Sequence, residues 1–391
     1  MAVLKGFCKW LPLICLTVAG FTFNTSELMP IGLLSDIAGD FSISEAHAGM
    51  LITVYAWVVA LLSLPLTLYF SHTDFRRLML GIVALFIVSH IGSVLSTGYY
   101  TLMASRIGVA CAHSIFWSIA PTMAVMATPG HARSTALSVM VAGGGIALVA
   151  GLPLGRVLGL LAGWRMTFAA LGILAAVVFI GLYISLPHMP QATADESRKS
   201  ILKDVAANKV LIAIYLITAV FVTGHYTGYS YIEPFMDRII GMQPRAITLT
   251  LSLFGVAGLL ASALMTKFFP PHPRTVIATV CISLPIALLV LLPVARLSVW
   301  LLALLCVLWG LAMTMFNIAF QNQIIIYAGK TQAVAMSIYS GIFNLGIGMG
   351  AFAGGIVCES GKMECIGYVG GIIALCAAVY TVSVFLPRAR S

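Results

Sequence analysis

The sequence predicts an all-α polytopic membrane protein, with twelve transmembrane helices arranged as two pseudo-symmetric six-helix bundles. Three observations carry this. The 391 residues are 61% hydrophobic and only 8% charged, with mean hydropathy +1.05, against roughly 25% charged in a soluble globule. The chain divides into about twelve apolar runs, each near the ~20 residues a helix needs to cross hydrocarbon. A single long polar stretch, Pro187 to Lys209, interrupts the series at its middle. Open sheets are excluded because their edge groups go unpaired in lipid.

In chain order the predicted spans lie near 10–34, 47–70, 78–97, 101–127, 134–160 and 165–187, then 210–236, 246–268, 275–294, 298–325, 331–357 and 364–387. The first has a basic flank like a signal peptide, but it carries Asn24, Glu27 and Pro30 and is read as retained. The division is residues 1–187, a cytoplasmic linker at 188–209 holding Pro190, Asp195, Glu196, Arg198, Lys199 and Lys203, and residues 210–391. Two halves of this kind, related by an axis along the membrane normal, place a substrate site between them near the midplane.

Charge sets orientation. The formal charge of +9 arises from 21 Lys and Arg against 12 Asp and Glu, yet the cations form no basic face of the kind nucleic acid needs. They fall at alternate loops. With the N-terminus inside, 14 of the 21 lie on the cytoplasmic side, five (Arg165, Arg238, Arg245, Arg296 and Lys362) outside, and Arg106 and Arg156 within spans. That agrees with the positive-inside rule and makes both termini cytoplasmic. Most cysteines sit in apolar spans without metal-ligand spacing. Cys358 and Cys365 flank an outside loop, where either a disulfide or two free thiols fit the spacing. With no metal-ligand cluster, nucleophile elbow or phosphate-binding loop, the chain reads as a non-enzyme without metal or cofactor.

Ionisable groups inside hydrocarbon cost about 2.5 to 3.5 kcal/mol each, so each needs a partner or a wet cavity. Those within spans are Glu27, Arg106, Arg156, Glu233, His90, His113 and His225. Glu27 and Arg106 lie at matching depth, roughly 10 Å from the outer ends of their spans. They suit either proton coupling or a static pair locking the first half. The fourth span spaces Arg106, His113 and Trp117 by seven and then four positions, and the seventh spaces His225, Tyr229 and Glu233 by four, with Tyr226 alongside. Each is one helix face. Tyr55, Trp57, Asn24, Asn317, Gln321 and Asn344 complete the polar set. Amides donate and accept while Trp and Tyr offer flat faces, a combination suited to a small polyhydroxylated ligand. For any single aromatic, ordinary helix packing is the competing reading. The glycines around Gly151 and from Gly341 to Gly355 fit close helix packing, and equally a smooth face for sliding helices.

Several stretches then carry a resemblance across nearly the whole chain: 23–27 (FNTSE) with 30–34 (PIGLL), 55–61 (YAWVVAL), 105–110 (SRIGVA), 112–118 (AHSIFWS), 151–156 (GLPLGR), 225–235 (HYTGYSYIEPF) and 340–344 (SGIFN). The chain resembles major facilitators of the drug:proton antiporter group, and among them the bacterial sugar efflux transporters. Arg106 matches the family's fourth-helix arginine, which the resemblance links to proton coupling. Gly151, Pro153 and Gly155 match the fifth-helix antiporter motif. The loop motif after the second helix is degenerate, retaining Asp74, Arg76 and Arg77. The resemblance implies a monomeric transporter of the bacterial inner membrane that exports small sugars, such as arabinose and thiogalactosides like IPTG, by proton antiport with alternating access. Glu27 is the expected proton carrier, with Arg106 and His113. Asn24, Tyr55, Trp57, His113, Trp117, His225, Tyr226, Tyr229, Glu233, Asn317, Gln321 and Asn344 are the expected substrate contacts. Its expected partners are sugar, protons and membrane lipid, with no nucleic acid. Drug or nucleoside efflux on the same fold, or a proton-independent facilitator, are the alternatives.

Overall fold

The computed structural model describes residues 2–70, 73–128, 133–188 and 198–388. Pro190, Asp195 and Glu196 of the predicted linker lie outside the described residues, as do Arg390 and the side chains of Lys5, Lys9, Arg133, Arg198, Lys199 and Lys330. Among the described residues the secondary structure is wholly helical. Ten helices among the described residues are long and apolar enough to cross a membrane, or eleven when one bent pair counts as a single span.

The helices are α1 (Ala2–Gly32), α2 (Leu34–Asp40), α3 (Glu45–Tyr69), α4 (Phe75–Val94), α5 (Tyr99–Ala127), α6 (Arg133–Ile146), α7 (Leu152–Ala162), α8 (Trp164–Ser185) and α9 (Arg198–Ala207). They continue as α10 (Lys209–Tyr229), α11 (Ile232–Pro234), α12 (Pro244–Phe268), α13 (Pro273–Leu289), α14 (Leu291–Leu297), α15 (Val299–Ala328), α16 (Gln332–Glu359), α17 (Ile366–Tyr380) and α18 (Leu386–Arg388). Two predicted spans depart from simple helices. The fifth is α6 and α7 joined by a π-helical turn, Ala147–Gly151. Pro153 lies two residues past that turn, and its missing N–H leaves a carbonyl of the preceding turn without its usual donor, a setting in which wider turns form. The ninth is α13 and α14, bent by 59°. There Pro293 has no N–H for the Leu289 carbonyl, which breaks the ladder at the bend.

The chain forms two compact units, one from Met1–Leu33 with Leu61–Asp195, the other from Leu34–Ala60 with Glu196–Ser391. In the first unit α4 packs on α5 and α8, and α1 on α6 and α8. At its centre the Phe23 and Phe116 rings stack at 4.4 Å, with Phe86 4.2 Å from Phe23. In the second unit α10 packs on α16 and α17, and α12 on α15. Glycines allow the closest approaches there. A Cβ at Gly224 would sit 2.6 Å from the Gly370 carbonyl oxygen, and one at Gly354 would sit 2.5 Å from that of Thr227. These contacts support the packing reading of the glycine-rich faces. Outward surfaces are apolar, with Trp300 85% and Leu161 79% exposed, as lipid requires and water would penalise.

Candidate functional site

In the first unit α1 and α5 bring the predicted polar residues together in register. Trp117 Nε1 donates to Asn24 Oδ1 at 3.1 Å. One turn further along, Glu27 Oε2 lies 3.8 Å from His113 Nε2. Glu27 Oε1 is buried and accepts no hydrogen bond. Arg106, fully buried, donates from Nη1 to the Ser26 carbonyl at 2.9 Å and to Ser26 Oγ at 3.2 Å. It also acts through space on Glu27 and His113.

Two residues outside the predicted site extend this cluster. His90 Nδ1 lies 3.1 Å from the Phe86 carbonyl, and Nε2 lies 3.1 Å from Ser26 Oγ. A carbonyl only accepts, so Nδ1 carries the proton and Nε2 accepts from the Ser26 hydroxyl. A chain of donors then runs from Arg106 through Ser26 to His90 and the Phe86 carbonyl. The sequence signal for His90 was its place in an apolar span; Ser26 carried none beyond its neighbour Glu27.

The motif residues in this unit do structural work of identifiable kinds. Gly151 and Gly155 let α1 approach, since a Cβ at Gly151 would meet Thr25 Oγ1 at 2.5 Å and one at Gly155 would meet Met29 Cγ at 3.0 Å. Arg156, buried, donates to the Gly32 carbonyl at 2.6 Å. Asp74 caps α4 by accepting from the Arg77 N–H at 3.0 Å. Arg76 ties α4 to α8 through the Tyr183 carbonyl at 2.9 Å.

The second unit has a neutral cluster. Trp309 Nε1 donates to His225 Nδ1 at 2.9 Å, so the imidazole accepts there and holds its proton on Nε2 when neutral. Tyr229 stacks on His225 at 5.0 Å, and Tyr226 meets it edge-on at 4.7 Å. Trp309 was not among the predicted residues. Its signal was a polar-tipped indole in the middle of an apolar span. Further along α15, Asn317 Oδ1 accepts from Gln321 Nε2 at 2.9 Å and from the Tyr339 hydroxyl at 3.0 Å. Asn344 donates to the Ser340 carbonyl at 3.0 Å, while its buried Oδ1 has no partner.

Three predicted residues sit apart from these clusters: Tyr55 and Trp57 in the part of the second unit built from Leu34–Ala60, and Glu233, which contacts that part from the rest of the unit. Tyr55 is buried, and Trp57 packs 5.7 Å from Phe352 with its indole N–H buried and unpartnered. Glu233 accepts from the Ser35 N–H at 3.2 Å and from its hydroxyl at 2.9 Å, at the first turn of α2 where a carboxylate suits the exposed amides. Arg238 pairs with Glu45 nearby. Cys358 and Cys365 are free thiols. No group of three or more His, Cys, Asp or Glu able to hold a metal occurs among the described residues.

Comparison with known proteins agrees with this architecture. The chain superposes on the crystal structure of the nucleoside transporter NupG with TM-score 0.75 at 14% identity, covering 96% of this chain and all of that one (100%). A D-xylose-proton symporter gives TM-score 0.74 at 16% identity, covering 96% and 97%. A bacterial homolog of the human lysosomal transporter Spinster, solved inward-facing and unoccupied, gives 0.70 at 18%, covering 97% and 95%. At such identities the likeness is one of fold. The family model for the Major Facilitator Superfamily matches residues 13–333, and with these helices and neighbours the chain belongs to that superfamily of membrane transporters.

Proposed function

We propose that the protein is a proton-coupled exporter of small sugars, with Glu27 as the proton carrier. The observation that carries this is the Glu27 carboxyl itself. One oxygen faces His113 at 3.8 Å and the other is buried without a hydrogen bond, beside a fully buried arginine. Such a carboxyl is suited to being neutral when dry and ionised when water reaches it. Exchange between those situations is what coupling requires.

In the first unit the half-buried Asn24 and Trp117 pair offers an amide beside a flat ring. In the second, Asn317, Gln321 and Asn344 offer amides near Tyr339 and Phe343. Amides and aromatic faces without a second carboxylate favour an uncharged polyhydroxylated substrate. The reading further comprises twelve spans in two halves joined by residues 188–209, a monomer, and an inner-membrane location with both termini cytoplasmic; the loop charges support the orientation.

The test is efflux of preloaded radiolabelled arabinose and a thiogalactoside from cells producing the protein, with and without a protonophore. Rapid export abolished by the protonophore is the expected result. Downhill flux indifferent to the protonophore would replace coupling by facilitated diffusion. Absence of sugar movement, with protection of the cells against drugs or nucleosides, would replace the substrate class.

A further inference from the structure

Outside the polar clusters, the second unit contains an apolar groove of about 620 Å³ between α12, α13 and α15. Leu264 and Phe268 line it from α12, Val276 and Thr279 from α13, and Leu308 and Met315 from α15. It extends along α13 from Thr275 to Ala287, roughly 18 Å at 1.5 Å per residue. One leaflet of hydrocarbon is about 15 Å deep. The groove therefore has the length of one acyl chain.

One end is cationic. His272 lines it, exposed Arg274 adjoins Thr275 there, and Lys267 holds its ammonium 5.4 Å from the ring of Phe268. The sequence contains no Asp or Glu between Arg238 and Cys358, so none of the three helices supplies a carboxylate to this end. Lys267, His272 and Arg274 are all exposed, at the level where a headgroup would stand above a chain lying in the groove. Charge and length together select one occupant.

We propose that the groove is a binding site for an anionic phospholipid, with one acyl chain between α12, α13 and α15 and the headgroup phosphate against Lys267, His272 and Arg274. A cation near a membrane surface contributes about 1 kcal/mol toward an anionic lipid, or roughly fivefold in affinity. Lys267 and Arg274 together then favour anionic over zwitterionic lipid by roughly 25-fold.

The test is retention of palmitoyl-oleoyl phosphatidylglycerol against palmitoyl-oleoyl phosphatidylcholine by the purified full-length protein, counted by native mass spectrometry. Preference for phosphatidylglycerol is expected. The double variant Lys267→Gln with Arg274→Gln reduces that preference to near unity, while Lys362→Gln, in an exposed loop elsewhere, leaves it unchanged. Thr279→Trp fills the groove and lowers retention of both lipids. Should that variant fail to fold, thermal shifts of the wild-type protein take its place, with phosphatidylglycerol stabilising more than inorganic phosphate does. Equal retention of the two lipids, preference surviving the double variant, or phosphate reproducing the lipid's thermal shift would each overturn the site. None of these readouts depends on transport.

Discussion

The two units carry polar clusters of opposite character. In the first, Arg106, Glu27, His113 and His90 place ionisable groups along α1, α4 and α5, with Ser26 linking them. In the second, the groups on α10, α15 and α16 are an imidazole held by an indole, stacked phenols, and amides bonded to each other and to a tyrosine. Buried charge is expensive and is kept where a charge must change. Neutral donors and acceptors recognise a ligand without changing state. Under the proposed function, proton coupling belongs to the ionisable groups of the first cluster, and recognition to the neutral groups of the second together with the Asn24 and Trp117 pair.

The largest effect expected from breaking this contrast is at Arg106. Arg106→Ala removes the donor to the buried Ser26 carbonyl and strands the ionisable groups beside it, costing about 3 kcal/mol or more. Export falls to background and thermal unfolding of the purified protein moves down. Unchanged stability would show that Arg106 is not a keystone of the first unit. Glu27→Gln comes next and separates coupling from recognition. Uphill, proton-driven export is expected to fall at least tenfold, about 1.4 kcal/mol in effect, while substrate counterflow persists. Loss of counterflow as well would place Glu27 in recognition and erase the division between the clusters.

Trp309→Phe is the complementary change, deleting the hydrogen bond to His225 while keeping the ring. A net cost near 1 kcal/mol is expected, read as a several-fold rise in the substrate concentration for half-maximal counterflow, with protonophore sensitivity intact. An altered dependence on the proton gradient would count against a purely recognising second cluster. The smallest change is Asp74→Ala at the α4 cap. It costs about 1 kcal/mol of stability and is expected to leave transport rates within about twofold, since Asp74 touches neither cluster. A severe transport defect in a stable variant would give the degenerate loop motif a conformational role.

Much of the architecture was legible because hydropathy and length are local properties. Runs near 78–97 and 246–268 became α4 (Phe75–Val94) and α12 (Pro244–Phe268) with ends shifted by a few residues. The site was legible in part. Spacings of seven and four placed Arg106, His113 and Trp117 on one face, and the structure turns His113 to Glu27 and Trp117 to Asn24. Tyr339 and Trp309 were missed because an aromatic in an apolar span looks the same whether it packs or donates. Glu233 illustrates the reverse. Its spacing put it on the His225 and Tyr229 face, yet the chain turns at Ser230 and Tyr231, and its carboxylate meets the first turn of α2 instead.

By itself the sequence determined that the chain is helical and lipid-embedded, how long its spans are, and which few residues bear charge inside them. Each follows from transfer free energies and backbone satisfaction, which act residue by residue. The tertiary structure alone decided which face of each helix meets which neighbour. Helix rotation and approach are set by packing across long sequence separations, as where Ser26 joins Arg106 to His90 and the close contacts at Gly224 and Gly354 seat α10 against α17 and α16.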